Sequence, residues 1–342
     1  MNWEIITKYP DKETEEKWFD FMPTSTFPCH YTSPGFFAEP FFEDKNPFAV
    51  LIFDQKEIVG VATGIRTDKK ILCGLEVRPQ VSIAKRADHR AVANAFVEAL
   101  LAMAAKNDAE LVSLNCSDEI KGFEEKGFIL KRAKGTFEVI TLDLRAGKEA
   151  VFKGFSQTRR SDLRKAMRED KVQISPLENL EELAELYEIH VGWCERKNIV
   201  PDTWETMKKV FALKNYHRIF IAKHLGKIIA GSYFRFYEKS LMEYAANNSL
   251  VEYQRLRPND LLTWRSIEWA CEQEIPFYSM GGSHLFLRRF GGTPVSSYRY
   301  QLDRTFLQKH RKKEAIADFA IKTYQSLPIE TRRRIKKILG KT

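Results

Sequence analysis

The chain has 342 residues, of which 44% are hydrophobic and 30% are charged, and its formal net charge is +9. This length is enough for two domains that each bury a core, and the composition is that of a globular protein rather than a disordered one. The charge is concentrated after residue 302, where twelve Lys/Arg and four Asp/Glu contribute +8, and the rest of the chain is close to neutral. This distribution argues against nucleic-acid attraction over the whole surface and against DNA as a partner.

The positions of the cysteines and histidines argue against a metal-binding protein and against a disulfide-linked one. The seven histidines and five cysteines show no metal-ligand spacing, so no metal site is predicted, and the odd number of scattered cysteines favours reduced thiols in a cytosolic protein. Residues 1–4 lack the layout of a signal peptide. The most apolar run, 91–105, is shorter than the roughly 20 residues that cross a membrane. We therefore predict a cytoplasmic protein.

Strand and helix patterns alternate in the first half of the chain. Apolar runs at 48–53, 58–62 and 70–72, separated by turns, predict an antiparallel meander. Helical spacing follows at 91–105. The remaining elements are a strand pattern at 111–115, a glycine-flanked segment at 122–128 and a strand pattern at 137–144.

The middle of the chain is helical and starts with a basic segment. Helical spacing covers 159–168, 180–196 and 203–213, and the first of these helices carries arginines four residues apart on one face. Such a stripe can bind a diphosphate, a tRNA backbone or acidic residues of another domain, or it can simply be solvated. The candidate anion-binding residues here are Arg160, Arg164 and Lys165.

The second half repeats the plan of the first. Strand patterns at 219–222, 228–234 and 241–246 predict a second meander, and a helix pattern then runs from Pro258 to Cys271, since proline suits the first helical turn. Tandem copies of one unit explain this order better than two unrelated domains. The unit ends with a strand at 277–280, a segment at 287–292 and a last strand at 297–302.

The predicted fold class is α/β (α+β), with two tandem units that each contain a mixed sheet flanked by helices. The first unit is predicted over 1–150. The second is predicted over 151–305, with a basic helix at 156–170, and a basic helical segment follows over 306–342.

Three motifs in the second half carry a family resemblance. They are Arg-Leu-Arg-Pro-Asn-Asp-Leu-Leu at 255–262, Gly-Gly-Ser at 281–283 and Leu-Arg-Arg-Phe-Gly-Gly at 287–292. Together with the basic helix and the order of strands, they resemble the GNAT acyltransferases and, within them, the Fem-type (FemAB-like) peptidyltransferases and their acetyltransferase-like relatives. The resemblance implies two GNAT-like domains in tandem, acyl transfer to an amine, and aminoacyl-tRNA as the donor.

The start of the predicted helix at Pro258 is a candidate phosphate site. Free backbone amides and the helix dipole favour an anion there. GNAT enzymes usually hold the cofactor pyrophosphate at this corner with a QxxGxG loop, whereas residues 254–259 of this chain read Gln-Arg-Leu-Arg-Pro-Asn, without either glycine. This departure counts against ordinary acyl-CoA binding. The candidate cofactor-binding residues are Arg255, Arg257, Asn259, Gly281, Gly282, Arg288 and Arg289.

Acyl transfer to an amine requires a deprotonated amine, a polarised carbonyl and a dry site that holds both. GNAT-type folds polarise the carbonyl with backbone amides at a splayed strand pair, so no serine or cysteine nucleophile is expected. Glu243 and Tyr244 are adjacent on the third strand and face opposite sides, so either one faces the cleft and relays a proton, or both are ordinary strand residues. The candidate catalytic residues are Glu243, Tyr244 and His284.

The tail at 328–342 has the pattern of a short basic amphipathic helix. Its apolar residues fall on one face and its lysines and arginines spread around the rest. Such a helix can lie on an anionic membrane, pack on the domain or fray. We predict a peripheral membrane contact at the inner face of the membrane, because a lipid-linked acceptor would explain it.

These patterns and the resemblance predict an N-acyltransferase that acts on an amine of a cell-envelope precursor, peptidoglycan or polysaccharide. The acceptor would be phosphate-bearing or lipid-linked, the donor aminoacyl-tRNA or acyl-CoA, and no cofactor would be bound permanently. One alternative is acyl-CoA-dependent acylation of a small amine or amino sugar. Another is a non-catalytic module that tethers a synthesis complex to the membrane through the tail.

Overall fold

The computed structural model describes residues 1–75, 78–131, 138–237, 240–326 and 331 of the chain. These residues form two mixed sheets flanked by helices, so the predicted fold class and the tandem arrangement are confirmed. Apart from residue 331, the predicted amphipathic tail at 328–342 lies outside the described residues.

Among the described residues, sixteen strands form the two sheets. They are β1 (Asn2–Ile6), β2 (Pro47–Asp54), β3 (Glu57–Thr67), β4 (Lys70–Leu75), β5 (Arg78–Pro79), β6 (Val81–Ile83), β7 (Leu111–Cys116), β8 (Ile129–Lys131), β9 (Glu138–Asp143), β10 (Gln173–Pro176), β11 (His217–His224), β12 (Lys227–Tyr237), β13 (Leu241–Ser249), β14 (Phe277–Ser279), β15 (Thr293–Ser296) and β16 (Tyr298–Asp303).

Helices cover the sheets and connect them. They are α1 (Lys12–Phe21), α2 (His89–Lys106), α3 (Lys121–Glu124), α4 (Lys148–Gly154), α5 (Gln157–Glu169), α6 (Leu180–Lys197), α7 (Trp204–Ala212), α8 (Pro258–Glu272), α9 (Leu285–Arg288) and α10 (Lys309–Ser326). Most long helices begin after a side chain that accepts a hydrogen bond from the first turn, which fixes their start. These N-cap residues are Asp11 of α1, Asp88 of α2, Ser156 of α5, Asn179 of α6 and Thr203 of α7.

The two sheets share one plan. The first sheet, which defines the first unit, has the order β1-β2-β3-β4-β7-β16-β8, with β6 pairing with β3 and β7. The second sheet, which defines the second unit, has the order β10-β11-β12-β13-β14-β9-β15. Each contains an antiparallel meander whose last strand pairs in parallel with the next, β4 with β7 and β13 with β14, and in the first sheet β6 also pairs with β7 in parallel.

The two units exchange their final strands, which differs from the predicted boundaries. We expected 137–144 to close the first unit and 297–302 to close the second. In the structure β9 pairs with β14 and β15 of the second sheet, and β16 pairs with β7 and β8 of the first. Because both units have the same plan, the alternating pattern of either strand fits either sheet, and sequence alone does not choose between them.

Helices pack on both faces of each sheet. In the first unit α2 buries Phe96 and Leu100 against one face, and Trp18 of α1 packs against the other. In the second unit α8 buries Leu262 and Ile267 against one face, while α6 and α7 cover the opposite face. Helices thus cover both faces of the second sheet, and both ends of β13 are buried.

None of the helices formed by the described residues is both long and apolar enough to cross a membrane.

Candidate active site

A wedge-shaped opening separates β13 from β14 in the middle of the second sheet. The two strands pair in parallel only over Leu241–Glu243 and Phe277–Ser279. The chain then turns from β14 toward β9, where the Met280 N–H donates to the Ile140 carbonyl at 2.8 Å. Among the described residues, 244–249 of β13 thus have no strand partner on the β14 side. Unpaired backbone at such an opening can bind and polarise a carbonyl group.

Gly281 lies at the mouth of this opening. Its φ is +65°, and a Cβ added there would come within 2.1 Å of the Tyr244 carbonyl oxygen. Only glycine fits so close to the neighbouring backbone. The predicted Gly281–Gly282 corner is therefore a place where two chain segments cross closely, next to the first residue of β13 beyond the paired segment.

The corresponding opening in the first unit is closed. There β6 fills the space, because Val81 pairs with Cys116 and the Gln80 N–H donates to the Asn115 carbonyl at 3.0 Å. On this side β7 pairs first with β4 and then with β6. Among the described residues, β13 and β14 have no corresponding strand between them beyond their short paired segment. In the part of the chain that the structure describes, the second unit is therefore the one whose parallel strand pair ends without a further strand beside it.

The N-termini of α2 and α8, which are equivalent helices in the two units, also differ in whether they are capped. At α2 the Asp88 carboxylate accepts hydrogen bonds from the Arg90 and Ala91 N–H groups at 3.0 and 3.2 Å. The first turn of α2 is thus already paired with an anion. At α8 the N-cap is Arg257, with a φ of +58° and no side-chain cap. An uncapped helix start next to arginines favours an external anion.

Arg257 adopts the backbone conformation that a glycine of the QxxGxG loop would supply. A non-glycine residue pays roughly 1–2 kcal/mol for the left-handed region. The side chain is held in return, since an Arg257 Nη lies 2.8 Å from an Asp162 carboxylate oxygen and 3.5 Å from one of Asp260. The missing glycine therefore does not remove the turn that leads into α8.

A small cationic cavity lies beside this turn. Its volume is about 110 Å³, and it is bordered by four basic residues and one acidic residue, Glu169. Glu169 lies 3.8 Å from Lys165 Nζ and 3.6 Å from Lys171 Nζ, so it offsets only part of the positive charge. The basic residues are Lys165, Lys171, Arg255 and Arg257. Three candidate residues from two separate motifs thus meet at one place.

A buried ion pair lies under the first turn of α8. Arg159 of α5 is 3% exposed and pairs with Asp260, while its guanidinium carbon lies 4.5 and 4.4 Å from the ring centroids of Phe286 and Phe290. Burial raises the pKa of Asp260, and Arg159 opposes that rise. Burial likewise lowers the pKa of Arg159. Burial thus disfavours both charges, and each charge stabilises the other.

The remaining basic candidates lie elsewhere. Arg160 donates to the carbonyls of Lys153 and Phe155, and the Arg164 guanidinium lies over the Phe152 ring at 5.5 Å, so both side chains lie against α4. Arg288 donates to the Ser283 carbonyl at 2.6 Å and to Glu138 at 3.1 Å. Arg289 is exposed. The helical stripe does not form one free cationic face.

The three candidate catalytic residues are separated. Tyr244 is the first residue of β13 beyond the paired segment, and its ring packs against Phe234 at 5.7 Å. Burial raises the pKa of the Tyr244 phenol, so it stays protonated and can donate a proton but not accept one. Glu243 faces the other side of the sheet, 3.8 Å from Arg235. His284 is exposed at the N-cap of α9.

Glu243 belongs to a buried charged cluster between the two units. At its centre Glu39 of the first unit, 1% exposed, accepts hydrogen bonds at one oxygen from His30 (2.6 Å), His217 (2.7 Å) and Arg235 (3.2 Å). Burial alone would raise the pKa of Glu39, but the Arg235 charge and the two histidine hydrogen bonds hold it well below its usual range. The cluster joins the units through a carboxylate that is ionised at neutral pH.

This cluster predicts that acid weakens the protein in two stages. Burial lowers the pKa of His217, so its contribution is present above about pH 6.5 and is lost as the pH falls through the folded-state pKa. The contribution of Glu39 is present above about pH 4.3 and is lost at still lower pH. Denaturant unfolding measured from pH 7 to pH 3 should give a declining free energy, with a slope of at most about 1.4 kcal/mol per pH unit for each proton. In Glu39→Gln the decline below about pH 4.3 should flatten, and an unchanged slope would contradict this assignment.

Cysteine chemistry does not explain the site. Burial raises the pKa of every thiol in the chain, which disfavours the thiolate. Four of the five cysteines are buried, and the half-buried one, Cys271, lies in the last turn of α8, away from the opening. Direct attack on the acyl donor fits these surroundings better than a covalent enzyme intermediate.

Sequence reasoning missed the Arg159–Asp260 pair and the Glu39 cluster. Asp260 lies within the 255–262 motif and Arg159 within the predicted basic helix at 156–170, but neither pattern shows that the two side chains meet. The cluster joins residues 178 positions apart, Glu39 and His217, for which no local pattern exists. A weak signal for the pair was present, because Arg159 is the one arginine of the stripe that lies on the same helix face as Leu163.

The comparisons with known proteins agree with this geometry. Residues 153–300 match the family model described as an acetyltransferase (GNAT) domain. These residues, which include most of the second unit, are thus similar to GNAT acetyltransferase domains. A comparison with curated proteins gives no match for the chain.

Solved structures resemble the whole chain, at low identity. A FemX structure is 13% identical, with a TM-score of 0.69 over 89% of this chain and 98% of that one. The C-terminal domain of a putative lysylphosphatidylglycerol synthetase from Agrobacterium fabrum is 14% identical, with a TM-score of 0.58 over 86% and 93%. A tandem GNAT protein from the clavulanic acid biosynthesis pathway is 12% identical, with a TM-score of 0.55 over 89% and 99%. The fold of the chain is therefore a tandem GNAT fold, and the opening between β13 and β14 lies within the residues that match the GNAT domain model.

Proposed function

We propose that the protein transfers an aminoacyl or acyl group to an amine of a cell-envelope precursor, and that the second unit carries out this transfer. The main support is the wedge between β13 and β14, which opens beside the uncapped start of α8. The fold is like that of FemX and of a putative lysylphosphatidylglycerol synthetase, whose name describes an aminoacylated lipid. The wedge supports an activated acyl donor of either kind, and the likeness to these two proteins favours an aminoacyl donor.

The donor would lie with its phosphates at the start of α8. The basic residues around the 110 Å³ cavity supply positive charge there, and the backbone of the first turn supplies hydrogen-bond donors. The reactive carbonyl would then enter the wedge near Gly281. Both aminoacyl-tRNA and acyl-CoA satisfy this arrangement, because each carries phosphate groups at a distance from its acyl carbon.

The chemistry would proceed by direct attack. The neutral amine attacks the donor carbonyl, unpaired backbone N–H groups of β13 stabilise the oxyanion, and the carbon–oxygen or carbon–sulfur bond to the donor breaks. The leaving group takes a proton from Tyr244, the attacking amine releases one proton to solvent, and Tyr244 regains its proton from solvent. Tyr244 fits this role because its hydroxyl is protonated at neutral pH.

The carboxyl-terminal segment would bring the protein to its acceptor. Phe306 is 99% exposed, and Ile316 and Phe319 of α10 are also exposed. Lysines and arginines occur among them, and the basic tail at 328–342 follows. An apolar and basic surface of this composition suits an anionic membrane, where a lipid-linked amine would be found.

The Arg257→Gly variant tests the donor site. Glycine relieves the left-handed strain and removes a half-exposed ion pair, so the unfolding free energy should stay within about 1 kcal/mol of the parent. Loss of one charge-assisted contact to phosphate should raise the donor KM about 10- to 100-fold. Transfer would be measured with labelled acyl-CoA and with tRNA carrying a labelled amino acid, using a lipid-linked envelope precursor as acceptor. Asn198→Gly, at another left-handed position, is the control and should leave KM unchanged.

The outcome also separates two forms of the proposal. Transfer that requires charged tRNA supports the Fem-like form. Transfer from acyl-CoA to a small amine supports the second candidate function, acyl-CoA-dependent acylation of a small amine or amino sugar. This candidate is favoured by the glycine-like backbone of Arg257 and by the acetyl-CoA named for the clavulanic acid pathway protein. Absence of transfer from both donors would reject the proposal.

A further inference from the structure

A second cleft lies between the two units, at the opposite end of α8. Its volume is about 750 Å³, within the usual range for small-molecule sites. Phe19 of α1 lines one side, and residues of β11, β12 and the last turn of α8 line the other. Because α8 has 15 residues, the cleft lies roughly 20 Å from the proposed donor site. The acyl-transfer reaction does not use it.

Arg218 is the charged residue that distinguishes this cleft. Its guanidinium carbon lies 4.8 Å from the centroid of the Trp269 ring, and its Nε is buried without a hydrogen-bond partner. Among the described residues, no carboxylate forms an ion pair with it. A partly desolvated arginine without an anion is unfavourable, so an external anion would fill an unmet requirement.

The charge of the cleft is unbalanced. Lys214 also lines it, and the described lining residues include no aspartate or glutamate. A neighbouring cavity of about 350 Å³ shares Lys214 and Arg218 and contains Glu178, but in the described part of the chain Glu178 forms no ion pair with either. Two positive charges therefore face one cleft, which favours an anionic ligand.

The walls of the cleft are aromatic. The rings of Phe19 and Tyr237 lie 6.1 Å apart with an interplanar angle of 20°, and those of Phe236 and Trp269 lie 5.3 Å apart at 72°. Flat ligands gain stacking energy from such surfaces, and arginine adds a cation–π contribution. Phe19 belongs to the first unit and the other three rings to the second, so a ligand here would contact both units.

We propose that this cleft binds a small planar anion, namely an aromatic or heteroaromatic ring that carries a phosphate or carboxylate group. The ring would stack between the aromatic walls, and the anionic group would pair with the guanidinium of Arg218 and with Lys214. Phosphate and carboxylate both match the fork of the guanidinium. Because the ligand would touch both units, its binding would stabilise their contact.

Titration calorimetry of the full chain with AMP, indole-3-acetate and inorganic phosphate tests this assignment. At least one planar anion should bind with a Kd below about 1 mM, and inorganic phosphate should bind at least about tenfold more weakly because it lacks a ring. AMP binding alone would indicate a phosphate ligand, and indole-3-acetate binding alone a carboxylate ligand.

Arg218→Met should weaken binding at least about tenfold, since it removes the charge and keeps the apolar stem. Arg145→Met is the matched control, because Arg145 also lies over a ring, that of Phe277 at 5.1 Å, but is already paired with Asp143. It should bind as the parent does. Saturable binding that survives in Arg218→Met, or no saturable binding of either planar anion to the parent, would overturn the proposal. Neither result bears on acyl transfer at α8.

Discussion

Asp260→Ala is expected to destabilise the protein by about 3–5 kcal/mol, because it leaves the charge of Arg159 buried without a partner. Arg159 is 3% exposed and packs against the rings of Phe286 and Phe290, so water cannot replace the carboxylate without moving α9 away from α5. The loss would appear as a lower denaturation midpoint. It should also raise the donor KM, since Asp260 lies in the first turn of α8.

The double variant Arg159→Met with Asp260→Leu tests whether the lost stability comes from the unpaired charge of Arg159. Burial shifts the pKa of both residues toward the neutral form, so desolvation offsets much of the attraction, and an apolar pair of similar volume should restore most of the lost stability. Asp143→Ala is the control, because its partner Arg145 is exposed and the midpoint should change little. If the double variant were less stable than Asp260→Ala, the ion pair could not be the source of the loss.

Most elements of the fold could be predicted because their signals are local. Pro258 starts α8 at the predicted residue, since proline needs no hydrogen bond in the first turn. The turn at Gly226 separates β11 from β12 as expected, and the alternating apolar residues of these strands reach the cores on both faces. Apolar residues that recur every two positions predict strands, and those that recur every 3.6 positions predict helices. Both meanders could be predicted from this pattern.

The exchange of β9 and β16 could not be predicted in the same way. Tyr300 of β16 is fully buried in the first core, and Ile140 of β9 is buried in the second. Either residue would satisfy the alternation of either sheet, so the choice depends on tertiary packing across the whole chain. The same limit applies to the Glu39 cluster, whose partners come from distant elements.

The donor site illustrates a different limit. The absence of glycine at Arg257 argued against the loop that GNAT enzymes use, yet this arginine adopts a φ of +58°. Two aspartates, Asp162 and Asp260, lie within ion-pair distance of its side chain. A residue pattern records preferences of single positions, whereas the conformation here depends on neighbours that only the fold brings together.

Tyr244→Phe is expected to lower kcat about 10²- to 10⁴-fold, the range typical of a lost proton donor. The stability change should be small, since phenylalanine keeps the contact with Phe234 and Tyr244 makes no hydrogen bond through its hydroxyl among the described residues. Tyr298→Phe, a half-buried tyrosine of the first sheet, is the matched control and should keep parental activity. Steady-state kinetics with saturating acceptor would measure both variants.

A second readout separates proton donation from simple positioning. If Tyr244 protonates the leaving group, an acyl donor with an aryl-thiol leaving group, which departs without a proton, should narrow the difference between Tyr244→Phe and the parent. A positioning role predicts the same ratio with both donors, because the geometry of the wedge is unchanged by the leaving group. If the ratio of parental to variant kcat is the same for both donors, or if Tyr244→Phe keeps the parental kcat, Tyr244 is not the proton donor. Glu243 would not replace it, because its side chain faces the buried Arg235 on the other side of the sheet.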